Sequence, residues 1–366
     1  MTVIKVAIVG VGNCASSLVQ GVAYYTSERT VQGMIQPMVG GYGAADVEFV
    51  LGIDVDARKV GLDLAQAIFA GPNNTKVFFP DVPQAGAKVI RGNRLDGVAA
   101  HMTQDAARGV QVDPSADASQ EQIVAALRES GAQVLVNFLP VGSHEATEFY
   151  MNCALEAGVA VVNCIPVFIA SDSAWEARFR ERGLPIVGDD IKAQVGATIV
   201  HRTLASLFGK RGVEIERTYQ LNTGGNTDFM NMLDRERLGS KKQSKTEAVQ
   251  AALSQRLQDE NIRIGPSEYV PWQEDNKACF LRLEATQWGG VPLNLELRLS
   301  VEDSPNAAAC VIDAIRYCKV ALDRGVGGVL TAPSAFYCKH PPVQMAEEVA
   351  MDLLSQFEGL EALAAE

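Results

Sequence analysis

The sequence predicts an α/β fold, a parallel sheet covered by helices on both faces, with a second unit of different architecture beyond it. Three observations carry this. Short continuous apolar strands alternate with helical segments through the first half of the chain. The first strand breaks at two glycines and passes directly into a helix. Beyond Phe208 the pattern changes to strands in which apolar and polar residues alternate. Parallel strands buried on both faces read as unbroken apolar runs, whereas a sheet with one wet face alternates.

The first element, Val3-Ile4-Lys5-Val6-Ala7-Ile8-Val9, runs into Gly10-Val11-Gly12-Asn13-Cys14-Ala15-Ser16-Ser17-Leu18. Glycines that turn tightly at a helix start aim free backbone N–H groups at an anion, which is how a dinucleotide pyrophosphate is held. Ala15 stands where a third glycine would fall, and alanine is small enough for helix and strand to pack. This strand–turn–helix context points to a Rossmann-like, doubly wound sheet, with Gly10, Gly12, Asn13, Cys14, Ala15 and Ser16 as cofactor-binding candidates. The alternative is a glycine turn without a ligand.

The second strand, Val47 to Ile53, ends at Asp54, placed to accept hydrogen bonds from ribose hydroxyls and to repel a 2′-phosphate. The pairing favours NAD over NADP, although Arg58 and Lys59 offer a phosphate alternative. Gly12 and Asp54 lie roughly twice the usual separation apart, and Ser27 to Ala45 reads as an inserted loop. Asp54 could instead cap the helix expected from Ala57 onward, a task Asp56 suits better. Two further strands, Gln133 to Pro140 and Val159 to Pro166, each follow a helical segment (Glu121 to Ser130, Ser143 to Ala157). Ligands lie at the carboxyl ends of such strands, so Leu139, Pro140, Asn163 and Pro166 become cofactor-lining candidates, the prolines being equally able to act as strand terminators. Next comes Pro185-Ile186-Val187-Gly188-Asp189-Asp190-Ile191-Lys192, an acidic pair and a lysine at a strand end, ahead of a helix over Ile199 to Phe208. Such charges are expensive unless paired or functional, the alternative being a solvated helix cap.

Val213 to Leu221 then reads as a strand, followed by Asn226 and Asp228 and by Ser240-Lys241-Lys242-Gln243-Ser244-Lys245. Lys241 and Lys245 share one face if this segment is helical, where like charges repel; either they hold an anion or they form a solvated face. Cys279 to Leu283 and Leu293 to Val301 predict a half-exposed antiparallel sheet. Helix returns at Asn306 to Asp323, and a last helix follows Phe336-Tyr337-Cys338-Lys339-His340.

The 366 residues, 47% hydrophobic, allow a substantial core and one to three domains. A net charge of −12 argues against non-specific nucleic-acid binding. No apolar run reaches the ~18 residues of a membrane span, and the N-terminus lacks a signal peptide's basic-then-apolar layout. Seven scattered cysteines without a C-x-x-C pair read as reduced core thiols of a cytoplasmic protein.

Five motifs, in order along nearly the whole chain, carry a family resemblance: Gly10 to Ser17, Val187 to Lys192, Leu221 to Asn226, Ser240 to Lys245 and Glu302-Asp303-Ser304-Pro305-Asn306. The chain resembles the myo-inositol-1-phosphate synthases, most closely their compact prokaryotic form. The resemblance implies an NAD-binding domain from residues 1–198 and 308–366, an inserted α+β catalytic and tetramerisation domain at 199–307, and a homotetramer. It implies NAD-dependent isomerisation of glucose 6-phosphate to 1L-myo-inositol 1-phosphate through C5 oxidation, C6 enolisation, aldol closure and C5 reduction. By the same resemblance Lys241 serves proton transfer and charge around C5, Lys245 the phosphate, Lys277 the C1 oxygen and Lys339 the C5 oxygen. Asp189 and Asp190 match an acidic pair, one of which orients a lysine or relays a proton, with Asp190 also a cofactor-side candidate; Asn226 and Asp228 match the substrate side, and Asp303 the nicotinamide side. Lys192 to Thr198 replaces a serine-glycine-glutamine-threonine phosphate turn, leaving Lys192 and Thr198 as substrate-binding candidates. A divalent or monovalent cation is a further candidate cofactor; no His/Cys ligand set marks its site, and Asp303, Asn226 or a water are the candidates. The rival readings are an NAD-dependent sugar-phosphate dehydrogenase with net hydride transfer and a non-catalytic NAD-sensing protein.

Overall fold

The computed structural model describes residues 3–364. Strand β1 (Ile4–Val9) leads through the glycine turn into α1 (Asn13–Glu28), and β2 (Val47–Asp54) lies parallel beside it. After α2 (Leu64–Ala67) and β3 (Val89–Arg91) come α3 (Gln120–Ser130), β4 (Val134–Asn137), α4 (His144–Ala157), β5 (Ala160–Asn163), α5 (Ser173–Glu181) and β6 (Pro185–Val187). The second unit is α6 (Ala197–Lys210), β7 (Glu214–Gly224), α7 (Thr227–Asn231), α8 (Gly239–Gln250), β8 (Ile262–Tyr269), β9 (Asn276–Gln287) and β10 (Val291–Glu302). Helix α9 (Asp303–Asp323) returns the chain to the first sheet, and β11 (Gly328–Val329), α10 (Thr331–Tyr337) and α11 (Glu347–Ala364) complete it.

Among the described residues the first sheet has seven parallel strands in the order β11-β6-β5-β4-β1-β2-β3. The order reverses between β1 and β4, and the crevice outside the carboxyl ends there is where a doubly wound sheet binds ligands. Period-two alternation explains its two cores. Ile4, Val6 and Ile8 pack with Val19 of α1 and Val311 and Ile315 of α9, while Ala7 and Val9 face the other way, toward Ile123 and Leu127 of α3 and Met151 of α4.

The second sheet, β10-β9-β7-β8, is mixed rather than antiparallel: β9 runs against β7 and β10, but β7 and β8 are parallel. Strand β8 escaped the sequence because Gly265 and Pro266 interrupt its alternation. Cys279, Leu281, Leu283 and Ala285 of β9 pack against Ala205 and Phe208 of α6, while Phe280 stands 42% exposed on the outer face.

Two helix boundaries also differ. The chain from Ala57 does not continue as a helix: the Asp56 carboxylate accepts the Arg58 backbone N–H (2.9 Å) and the Gln111 N–H (3.1 Å), Gly61 turns at φ +92°, and only the short α2 follows, capped by Asp63. Helix α9 begins at Asp303 rather than Asn306.

The inserted loop is stapled down by Arg316, which is 0% exposed in the middle of α9. Its guanidinium donates to the carbonyls of Gln36 (2.7 Å), Pro37 (3.2 Å) and Tyr42 (3.1 Å) and pairs with Asp313, which also accepts the Tyr337 hydroxyl (2.8 Å). Arg316→Met leaves Asp313 buried without its cation and is expected to destabilise by about 3–5 kcal/mol. Urea unfolding reads this, and adding Asp313→Asn should recover part of the loss. Among the described residues no helix is long and apolar enough to cross a membrane. All seven cysteines are free thiols.

Candidate active site

One cleft gathers most of the residues singled out above. It runs from the glycine turn across the carboxyl ends of β1, β2 and β4 to α8 and β9. Gly10 has φ +87°, and a Cβ there would come within 2.6 Å of the Phe138 carbonyl oxygen, so the position requires glycine. Gly12 caps α1 with neither a side-chain cap nor an acidic residue in the first turn, and the space around it is open. No side chain caps the first N–H groups of α1, which suits that helix end to an anion. Asp54 Oδ2 accepts the Val11 N–H (2.7 Å), and Oδ1 accepts the N–H groups of Val55 (2.7 Å) and Asp56 (2.9 Å), which holds the carboxylate at the cleft wall. Arg58 is locked onto Asp56 (2.5 and 2.8 Å) and Lys59 donates to the Val11 carbonyl (2.6 Å), so neither cation is idle. The turn, the open helix end and the acidic residue together fit an NAD-type dinucleotide.

Gly10, Gly12, Asn13, Cys14, Asp54, Leu139, Pro140 and Pro166 line the cleft. Burial, with the charges of Asp275 and Asp303, pushes the Cys14 thiol up to about 12, so it remains protonated. Three cofactor candidates do not reach the cleft. Ala15 lies in the core, and Ser16 is buried and accepts the Gln20 amide (3.0 Å). Asn163 sits beneath the site, between Asn137 (2.9 Å), the Val167 carbonyl (2.7 Å) and Asp189 (2.7 Å).

The acidic pair divides into two roles. Asp189 is 0% exposed and lies outside the cleft lining. Its carboxylate accepts the N–H groups of Ile169, Ala170 and Ser171 (each 3.0 Å), the Ser171 hydroxyl (2.9 Å) and the Asn163 amide, so it is spent on shaping the 165–171 loop. Burial pushes its carboxyl up to about 6 against the pull of these donors. Asp190, with φ +61°, points the other way and lines the cleft. Its Oδ1 accepts Lys339 Nζ (2.8 Å) and its Oδ2 the Ser244 hydroxyl (2.6 Å).

Helix α8 forms as the lysine spacing suggested, and it buries both Lys241 and Lys245. Lys277 from β9 and Lys339 from the segment after α10 join them in the same cleft. Lys241 pairs with Asp228 (2.5 Å) and Lys277 with Asp303 (3.1 Å). Burial works against the Asp228 charge, yet Lys241, Lys245 and Lys277 hold its carboxyl below the usual range. Burial likewise opposes the Lys277 charge, but Asp303 outweighs it and raises the ammonium above the ordinary lysine value.

Lys245 differs from the other three: among the described residues it has no hydrogen-bond or ion-pair partner. Burial, then the charges of Lys241, Lys277 and Lys339, push it well below the ordinary 10.5, with Asp190 offsetting part. An amine so depressed is an ammonium only toward lower pH. Inorganic phosphate should therefore bind more weakly as pH rises, at pH values well below 10.5 where ordinary lysines keep their charge. Isothermal titration across pH checks this, and in Lys245→Met the slope should flatten.

On the opposite wall, Asn226 caps α7 through the Phe229 N–H (3.1 Å) and donates to Asp275 (2.9 Å); Asp228 and Thr198 also line the cleft. Lys192 does not: it is buried and donates to the Ala335 carbonyl (2.8 Å) and Glu347 (3.0 Å), tying α10 to α11. Sequence reasoning missed Ser244 and Asp275. Asp275 accepts Asn226, the Thr75 hydroxyl (2.8 Å) and the Ser304 hydroxyl (2.8 Å) and N–H (3.1 Å), joining the two units. Its only sequence signal is a carboxylate two places ahead of Lys277. Among the described residues no group of three or more His, Cys, Asp or Glu side chains is arranged to hold a metal ion.

Comparison with known proteins adds independent findings. The family model described as myo-inositol-1-phosphate synthase matches residues 196–304. An inositol-3-phosphate synthase of Mycolicibacterium smegmatis is 53% identical over 361 residues, 97% of each chain. One of Corynebacterium glutamicum is 51% identical over 362 residues, 97% of this chain and 98% of the other. A solved myo-inositol-1-phosphate synthase-related protein of Thermotoga maritima, 24% identical, superposes with a TM-score of 0.80 over 98% of both chains, which bears on the fold alone.

Proposed function

The chain belongs to the myo-inositol-1-phosphate synthase family, and from that premise we propose how its own residues divide the work. The reaction is the isomerisation of D-glucose 6-phosphate to 1L-myo-inositol 1-phosphate without net redox change. The alternative of a dehydrogenase with net hydride transfer finds no support among relatives this similar over the whole chain.

The carrying observation is that four lysines from three separate segments reach one cleft, three of them paired with carboxylates and one, Lys245, without a partner among the described residues. Gly10, Gly12, Asn13, Cys14 and Asp54 would hold NAD, which would supply hydride removal and return at C5. The residues around it manage charge and protons. Lys339, oriented by Asp190, and Lys241, oriented by Asp228, flank the C5 oxygen; as the ketone forms, one of them passes a proton to its own carboxylate and takes up the hydroxyl proton, and both stabilise the enolate left when a C6 proton passes to the substrate's phosphate dianion. Lys277, oriented by Asp303, meets the oxyanion that develops at C1 as the ring closes and returns a proton to it. Lys245, with the open N-terminus of α6 at Gly196 to Thr198, takes the phosphate, whose dianion supplies the counter-charge that Lys245 lacks. A preorganised cation at each developing oxyanion is the feature this sequence of steps demands.

Residues 1–198 and 308–366 form the NAD-binding domain and 199–307 the catalytic and tetramerisation domain. The half-exposed Leu221 and Phe280, which are register partners on the outer face of the second sheet, support that face as the tetramer contact. Seven free thiols support a reducing, cytoplasmic setting. A cation remains an optional addition, and no step above uses one. Phosphorus NMR with glucose 6-phosphate and catalytic NAD tests the whole: an inositol monophosphate should form with no growth of the NADH absorbance. Stoichiometric NADH would overturn it.

A further inference from the structure

Helix α1 carries a polar stripe of which only the first residue, Asn13, reaches the cleft. Asn13, Ser17 and Gln20 stand at i, i+4 and i+7, on one helical face, and each is more than nine-tenths buried. All three are spent on the irregular segment 72–79. The Asn13 amide donates to Asn74 Oδ1 (2.6 Å) and accepts the Asn74 N–H (3.1 Å). Ser17 meets the Thr75 hydroxyl (2.9 Å), and Gln20 accepts the N–H groups of Phe78 (3.0 Å) and Phe79 (3.2 Å). The far side of the same segment is tied to the catalytic unit, through Asn74 Nδ2 to the Gly225 carbonyl (3.0 Å) and the Thr75 hydroxyl to Asp275 (2.8 Å). Pro72 stands in the cleft wall with Gly10, Gly12 and Cys14, whereas Asn74 and Thr75 do not line the cleft.

We propose that segment 72–79 is a latch across the cofactor turn, with Asn74 and Thr75 as positioning residues that keep NAD from leaving between withdrawal of hydride from C5 and its return. The proposal rests on the reaction given above. A cofactor recycled within one turnover must outlast the intermediate ketone; one that departs early strands an oxidised sugar phosphate and releases NADH. A segment bonded to the helix start on one side and to the catalytic unit on the other can open only by breaking both sets of bonds. Burying three polar side chains of α1 for this purpose is costly unless each is satisfied, and each is.

The test compares Asn74→Ala, Thr75→Val and Thr75→Ser. Thr75→Val keeps the shape and deletes the hydroxyl, while Thr75→Ser keeps the hydroxyl. Dissociation of labelled NAD, chased with unlabelled NAD and without sugar, should accelerate about tenfold or more in Asn74→Ala and Thr75→Val, as expected when two or more buried hydrogen bonds leave the closed state. Thr75→Ser should remain near wild type. With glucose 6-phosphate, the two fast variants should also release free NADH that the wild type retains. Dissociation within about twofold of wild type in both, or equal acceleration in Thr75→Ser and Thr75→Val, would overturn the latch. Should Asn74→Ala not fold, the valine–serine pair decides alone. The chase contains no sugar, so it reads the latch even if the wild type makes no inositol phosphate, an outcome that would instead count against the reaction assigned above.

Discussion

Lys241→Ala should lower kcat by about 10²–10³, the loss typical of removing one preorganised charge stabiliser, while NAD affinity and the urea midpoint stay close to wild type. The division follows from where Lys241 sits. Its stem lies in α8, one turn before Lys245, and its ammonium pairs with an Asp228 carboxylate that opens onto the cleft. Truncation leaves Asp228 part-exposed at the cleft with Lys245 and Lys277 still nearby to hold its charge, so little folding energy is lost. The glycine turn is a separate structure and keeps its cofactor. The ammonium itself cannot be replaced: charge at the C5 oxygen grows as the C6 proton leaves, and water cannot offer the same fixed dipole. Lys241→Arg should recover little, since a planar guanidinium neither fits a point-charge site nor gives up a proton. Steady-state kinetics, an NAD titration and urea unfolding on the same preparations check all three. Near-normal turnover would remove Lys241 from the chemistry.

How far the sequence disclosed this site depends on which physical signal each residue leaves. The glycine turn was legible because its positive φ demands a particular residue at a particular place after an apolar strand. Lys241 and Lys245 were legible because helical periodicity puts i and i+4 on one face. Asp189 and Asp190 were not separable, since no rule of period or composition states which of two neighbours at a strand end turns inward. Lys192 and Asn163 carried the same ambiguity, and the fold spends both on holding segments together. Asp275, Asn74 and Thr75 were invisible for another reason. Their partners named above lie 29 to 200 residues away, and a hydrogen bond of that span leaves no local pattern.

Neighbouring carboxylates with opposite duties predict opposite phenotypes. Asp190→Asn should cut kcat by about 10²–10³ with the fold intact. Asparagine tolerates the positive φ of that position nearly as well as aspartate, and it keeps an oxygen for Ser244. It loses the charge that holds Lys339 in place. Asp189→Asn should do the reverse. An amide there sets an NH₂ group against N–H donors from Ile169, Ala170 and Ser171 that need acceptors, and the unpaired donors should cost about 1–3 kcal/mol. The protein that remains folded should turn over at near-normal rate, because Asp189 touches neither a lysine nor the cleft. Urea midpoints and kcat measured on both variants give a two-by-two answer. A variant of Asp189 that is stable but inactive, or one of Asp190 that is unstable but active, would reverse the roles assigned here to the two side chains.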